Sequence, residues 1–121
     1  MMVAHMSDCL FCRIASGELP STPVAESELA FAFRDLSPQA PVHVLVIPRA
    51  HVTSAHTVGS EDAHVIGELV LLAQRVAAIE GIDGEDRGYR LVMNVGADAN
   101  MSVPHLHLHV LGGRKLGWPP G

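Results

Sequence analysis

Two hydrophobic spacings divide this chain. His105 to Leu111 (HLHLHVL) alternates polar and apolar residues with period two, the spacing of a half-buried β-strand. His43 to Ile47 (HVLVI) is almost continuously apolar and β-branched, which predicts a central strand stopped by Pro48. Leu29 to Arg34 and Tyr89 to Val95 read as further strands, and Val24 to Glu26 as a short one. Between them, Val65, Ile66, Leu69, Val70, Leu72, Ala73, Val76, Ala77 and Ile79 follow the helical period. That long helix opens at Ser60 and Glu61 and ends at Gly81. A short helix is predicted from Cys9 to about Ser16, capped by Asp8 and closed by Gly17, with Leu10, Phe11 and Ile14 on one face. His51 to His56 could add another short strand. Short connections favour antiparallel pairing. The expected class is therefore α+β: an antiparallel sheet of about five strands with one long and one short helix, the long one across a sheet face.

Composition narrows this picture. The chain has 121 residues, enough for one domain, read here as residues 8–121, with residues 1–7 a disordered N-terminus or a non-native remnant. Aromatic residues make up only 4%, so aliphatic side chains must build the core, and dimerisation is one way to enlarge it. A net charge of -5 with scattered Lys and Arg argues against a nucleic-acid polymer as partner, but not against a single nucleotide. No apolar run is long enough for a membrane span and no secretory signal is evident, so a cytoplasmic location is expected.

The candidate chemistry lies in the last strand. On a β-strand His105, His107 and His109 share one face, about 6–7 Å apart, while Leu106, Leu108 and Val110 share the other. The face could be merely solvated, or could bind a metal, although three collinear residues do not surround an ion well. The spacing also allows relays through ring nitrogens and backbone carbonyls, and catalysis is the favoured reading. Cys9 and Cys12 form a C-x-x-C pair. A structural disulfide is unexpected in a reducing compartment, and half of a metal site stays open.

The H-L-H-L-H-V run, with AFRDLSPQAPVHVLVIPRAH upstream and VLGGRKLGWPPG downstream, resembles the histidine-triad (HIT) superfamily from Asp8 to Gly121. His at the third triad position and the Trp-Pro-Pro-Gly tail are similar to its Hint-like branch, the purine nucleoside phosphoramidases. The resemblance implies a HIT-like fold whose sheet extends across a homodimer. It also implies attack by His107 on the α-phosphate of a nucleoside 5′-phosphoramidate or similar nucleoside monophosphate adduct, giving a nucleotidyl-histidine that water hydrolyses. His109 would contact the phosphate and His43 would orient the triad. His105 would serve through its backbone carbonyl. Asp35 would bind the ribose hydroxyls, with Leu10, Phe11, Ile14, Phe33, Leu36 and Leu45 around a purine base. Asn94, Ser102 and Val103 would lie near phosphate and leaving group, and Trp118 would reach the partner's site. Bacterial members imply a structural Zn2+ on Cys9, Cys12, His51 and His105. Asn100 and Met101 depart from the animal Hint pattern, and Pro104 replaces an aromatic. A dinucleoside polyphosphate hydrolase and a nucleotide-binding scaffold with incidental hydrolysis are the alternative readings.

Overall fold

The structure, a computed structural model, describes residues 8–121. The N-terminal stretch read as a remnant lies outside the described residues. Helix α1 is Leu10–Ala15, followed by strands β1 (Pro23–Glu26), β2 (Ala30–Arg34) and β3 (Val42–Pro48). Helix α2 is Ala63–Ile79, and β4 (Tyr89–Val92) and β5 (Leu108–Gly112) complete one sheet. The strand order is β1-β2-β3-β5-β4, and every neighbouring pair is antiparallel. β5 is thus inserted beside β3, and β4 takes the edge. Among the described residues no helix is long and apolar enough to cross a membrane.

The period of two sorts the strands into two layers. Ala30 and Ala32 of β2, Val42, Val44 and Val46 of β3, and Leu108 and Val110 of β5 pack beneath α2. The buried stripe of α2 is Val65, Leu69, Leu72, Ala73, Val76 and Ala77, the i, i+4, i+7 rhythm that lays one helix face on a sheet. Small Ala30 and Ala32 let the helix approach β2 closely. On the opposite sheet face, Phe31, Phe33, Leu45 and Ile47 pack with Phe11 and Ile14 of α1. Two residues included in the helical pattern do not belong to this core. Ile79 is 57% exposed and Val70 36%, because both fall outside the arc that faces the sheet.

Several local expectations are corrected. The cap of α1 is Cys9 rather than Asp8: its side-chain sulfur accepts the Cys12 N–H at 3.4 Å, so the helix starts at Leu10. His51 to His56 forms no strand; it runs extended into a single 3₁₀ turn at Ala55–Thr57, closed by a reciprocal Ser54–Thr57 capping box. Ser60–Asp62 is likewise a 3₁₀ turn, leading into α2. β4 stops at Val92, three residues short of expectation.

The last strand is also shorter, beginning at Leu108 rather than His105. Pro104 has no N–H to give a ladder. The His105 N–H turns back onto the Val103 carbonyl at 2.8 Å, and the Leu106 N–H donates to Val52 at 2.6 Å. The chain there leaves the sheet, which also deprives the end of β4 of a neighbour. Of the three alternating histidines, only His109 sits on the ladder, opposite Leu45 on β3 and Val92 on β4.

Candidate active site

Leaving the ladder does not scatter the histidines; it buries them. His105 is fully buried, and His107 and His43 are each 6% exposed. The His107 and His109 ring centroids lie 5.0 Å apart, and Phe11 of α1 presents its ring edge-on to His107 at 5.1 Å. His43 points to the same face as His109 because it lies on β3 two positions from Leu45, the residue opposite His109. Such diagonal neighbours come within reach of long side chains.

The hydrogen bonds fix the tautomers by elimination of donors. His107 Nδ1 lies 2.7 Å from the His105 carbonyl oxygen, which can only accept. Nδ1 therefore carries the proton, and Nε2 keeps its lone pair. The Gln39 N–H donates to His43 Nδ1 at 3.0 Å, so His43 carries its proton on Nε2. That proton is directed to His109 Nδ1 at 2.9 Å, with Asp35 Oδ2 at 3.5 Å. His109 is left with its N–H at Nε2, and this atom is buried with no partner in the protein. A lone pair on His107 thus stands beside an unsatisfied donor on His109. Since an unpartnered buried donor carries a free-energy cost, this pair is suited to an incoming oxyanion.

Burial also keeps this set uncharged. It pushes His109 down to about 4, helped by the neighbouring His107 and His43 and opposed by Asp35. Burial lowers His43 as well, against the pull of Asp35. At neutral pH both are neutral imidazoles.

His107 and His109 close the end of a cleft of about 380 Å³. Its apolar walls come from both helix and sheet: Leu10, Phe11 and Ile14 from α1, Phe33 from β2 and Leu45 from β3. Asp35, Leu36, Ser102 and Val103 form the rim, Leu36 almost wholly in solvent at 94%. Asp35 caps its own turn through Oδ1, accepting the Ser37 N–H at 2.7 Å, while Oδ2 faces His43 and the cleft. Asn94 lies beyond the end of β4 and is not among the residues lining the cleft, and Trp118, expected at a partner's site rather than its own, is 83% exposed in this chain. Leu19, Pro20, Ser21 and Arg34 also line it. The first three belong to the loop after α1, which has no periodicity to mark it. Arg34 reads as the polar end of a strand and is held by a two-pronged pair with Glu80.

Behind the triad lies a second cluster. Cys9, Cys12, His51 and His105 each bring one ligand atom, all within 4.8 Å of one another. His105 Nδ1 is 3.2 Å from Cys9 Sγ and 3.6 Å from Cys12 Sγ, and His51 Nδ1 is 3.4 Å from Cys12 Sγ. Tetrahedral zinc with ordinary Zn–S and Zn–N lengths places sulfur and nitrogen about 3.5 Å apart. The donor set therefore fits. His105 Nε2 donates to the Pro48 carbonyl at 3.0 Å, which turns the Nδ1 lone pair toward the thiols. Burial and Cys9 push the Cys12 thiol up to about 11, and burial pulls His105 down to about 4.

The sequence profile of the HIT domain matches residues 16–116. A HIT-like protein of Synechocystis sp. is 46% identical over 114 residues, spanning 94% of this chain and 97% of its own. One from Synechococcus elongatus is 44% identical over the same spans. Among solved structures, a HIT family hydrolase from Legionella pneumophila superposes with a TM-score of 0.88 at 45% identity, over 93% of this chain and 99% of that one. A histidine triad protein from Clostridium difficile gives 0.86 at 39% identity, over 91% and 94%. The buried histidine relay, the open five-stranded sheet and these matches agree, and the chain belongs to the HIT family.

Proposed function

We propose that this protein is a nucleotide-binding hydrolase or nucleotidyl transferase, acting on the α-phosphate of nucleoside 5′-phosphoramidates or similar nucleoside monophosphate adducts. The observation that carries this reading is the orientation of His107: Nδ1 is tied to the His105 carbonyl, leaving the Nε2 lone pair at the end of an apolar cleft. Nε2 forms a bond to the α-phosphorus as the phosphorus–nitrogen bond of the substrate breaks. The departing amine leaves with that electron pair and takes up a proton from solvent at the cleft rim, which regains one from the water that attacks in the second step. Water then attacks the same phosphorus and displaces His107, releasing the nucleoside monophosphate. His109 Nε2–H donates to a phosphate oxygen throughout, and His43 holds His109 in the donating tautomer. Ser102, on the rim, donates a hydrogen bond to the leaving amine or a phosphate oxygen, a role supported by its position among the cleft's lining residues. Asp35 takes the ribose hydroxyls, and the walls from α1, β2 and β3 take the purine.

The Cys9, Cys12, His51 and His105 cluster is read as a structural zinc site. These four residues would hold the zinc as a closed cross-link between α1, the segment after β3 and the chain leading to β5, which would leave no open position for chemistry. The protein is read as a cytoplasmic homodimer. Apolar Val70, Leu71 and Ile79 on α2, and Leu91 on the edge strand β4, are exposed and support a subunit contact.

Rapid quench with adenosine 5′-phosphoramidate followed by mass spectrometry tests the reaction. Nucleotidylated protein with the label on His107 is expected. His107→Ala should lower turnover by about four orders of magnitude while nucleotide affinity is kept. A label elsewhere, or turnover surviving in that variant, removes the mechanism. A chain that binds AMP without any turnover is a scaffold instead.

A further inference from the structure

His105 joins two sites that the fold places back to back. Its carbonyl oxygen holds His107 Nδ1 at 2.7 Å, and its own ring is fully buried. Its Nε2 donates to the Pro48 carbonyl at 3.0 Å, so its Nδ1 is an acceptor. Two sulfurs face that acceptor, Cys9 Sγ at 3.2 Å and Cys12 Sγ at 3.6 Å. Phe11, between the two cysteines in the chain, packs on the same histidines: its ring centroid lies 5.9 Å from that of His105 and 5.1 Å from that of His107. The cysteines therefore bear on His107 by two routes, through His105 and through the residue between them.

Cys9 and Cys12 are the only cysteines of the chain. Cys9 is partly exposed and Cys12 is buried, and both are free. Residues three apart at the start of a helix are neighbours, within the separation that a disulfide spans. A reachable thiol beside a sheltered one suits reversible oxidation, the first reacting and the second resolving. We propose that Cys9 and Cys12 are an oxidation site, closed to a disulfide by a peroxide, that switches off the histidine cleft. The Cys9 sulfur attacks one peroxide oxygen, the O–O bond breaks, and water leaves behind a Cys9 sulfenic acid. The Cys12 sulfur then attacks the Cys9 sulfur, the S–O bond breaks, and a second water leaves. The cysteines give up two electrons and the peroxide takes them. The two thiol protons complete the waters; where zinc holds the sulfurs as thiolates, solvent supplies those protons and the metal is released. A disulfide has no S–H to donate and no thiolate to share with a metal. His105 Nδ1 then loses both sulfur partners in a fully buried position, where an unsatisfied acceptor is unfavourable. The ring relieves this by moving, and the His105 carbonyl that aligns His107 moves with it. The loss of turnover rests on the reading of His107 as nucleophile; the bridge and the displacement of His107 do not.

Hydrogen peroxide in modest molar excess, added to the full chain as purified, provides the test. The intact mass should fall by two hydrogen atoms, with the bridge mapped to the peptide holding Cys9 and Cys12 and any bound zinc released in step. The NMR signal of His107 Nδ1–H should shift or broaden, and turnover of adenosine 5′-phosphoramidate should fall about tenfold or more. Dithiothreitol with equimolar zinc should restore both, which separates the bridge from methionine oxidation, since that reductant leaves a sulfoxide in place. Cys12→Ser should stop at a Cys9 sulfenic acid, trapped by dimedone, with no bridge. A bridge that leaves the His107 signal and turnover at their reduced values overturns the proposal. So does the absence of a bridge in wild type, a loss of turnover without one, or a loss that reduction does not reverse. A reduced chain with no turnover at all removes the reaction assigned to His107, while the His107 signal still decides the switch.

Discussion

At the residue scale, Phe11 and Asp35 carry more than one contact each. Phe11 packs against Phe33 at 5.6 Å and against both His105 and His107. Phe11→Ala should destabilise the fold by about 3–4 kcal/mol, read by urea unfolding, and raise KM through the lost cleft wall. Asp35→Asn keeps the turn-capping oxygen but removes the charge facing His43. It should raise KM for nucleotide about tenfold, with kcat moving less. Neutrality of the relay predicts a pH dependence. His109 and His43 have folded values below the unfolded imidazole value near 6.5. Below that pH the unfolded chain takes up protons that the folded chain refuses, so stability falls as pH drops from about 6.5 toward 4 and is level above. Thermal melts should show Tm decreasing across this window by roughly 5 °C or more. A flat Tm from pH 7 to 4.5 would mean that the relay histidines titrate like those of the unfolded chain.

The position of β5 depends on what happens at its two ends. Gly113 follows it at φ +91, and a Cβ there would lie 2.8 Å from Pro41 Cβ. Gly113→Ala meets both a left-handed backbone and a collision with a rigid ring. A loss of about 2 kcal/mol or more is expected, lowering Tm by about 5–10 °C. At the other end, α1 and the segment after β3 meet His105 through the cysteine cluster. If zinc holds them, protein purified without added metal carries about one zinc per chain. Cys9→Ser with Cys12→Ser loses both the metal and several degrees of Tm. Equal stability and equal metal content in wild type and variant would dismiss the site.

For the whole molecule, the exposed edge strand β4 and the apolar outer residues of α2 predict association. Sedimentation should give twice the chain mass, and Leu91→Lys should shift it to the monomer, because a buried unpaired ammonium opposes the contact. A monomeric wild type would leave Leu71, Ile79 and Leu91 without that explanation.

Much of this was legible in the chain. Period two in β2, β3 and β5 and period 3.6 in α2 decide which side chains face which layer, because backbone geometry alone imposes those repeats. The antiparallel class and the chemistry of a histidine run follow from local sequence in the same way. Tertiary structure decided the rest. The alternating histidines suggested one uniform ladder, yet Pro104 and the Leu106–Val52 hydrogen bond carry His105 and His107 off the sheet. The tautomers depend on Gln39, Pro48 and the His105 carbonyl, none of which announces itself by spacing. Arg34 and the loop after α1 reach the cleft that ends at His107 and His109 only because β5 is inserted beside β3. Periodicity is a property of neighbouring residues; these convergences arise from packing between segments far apart along the chain, where no local preference operates.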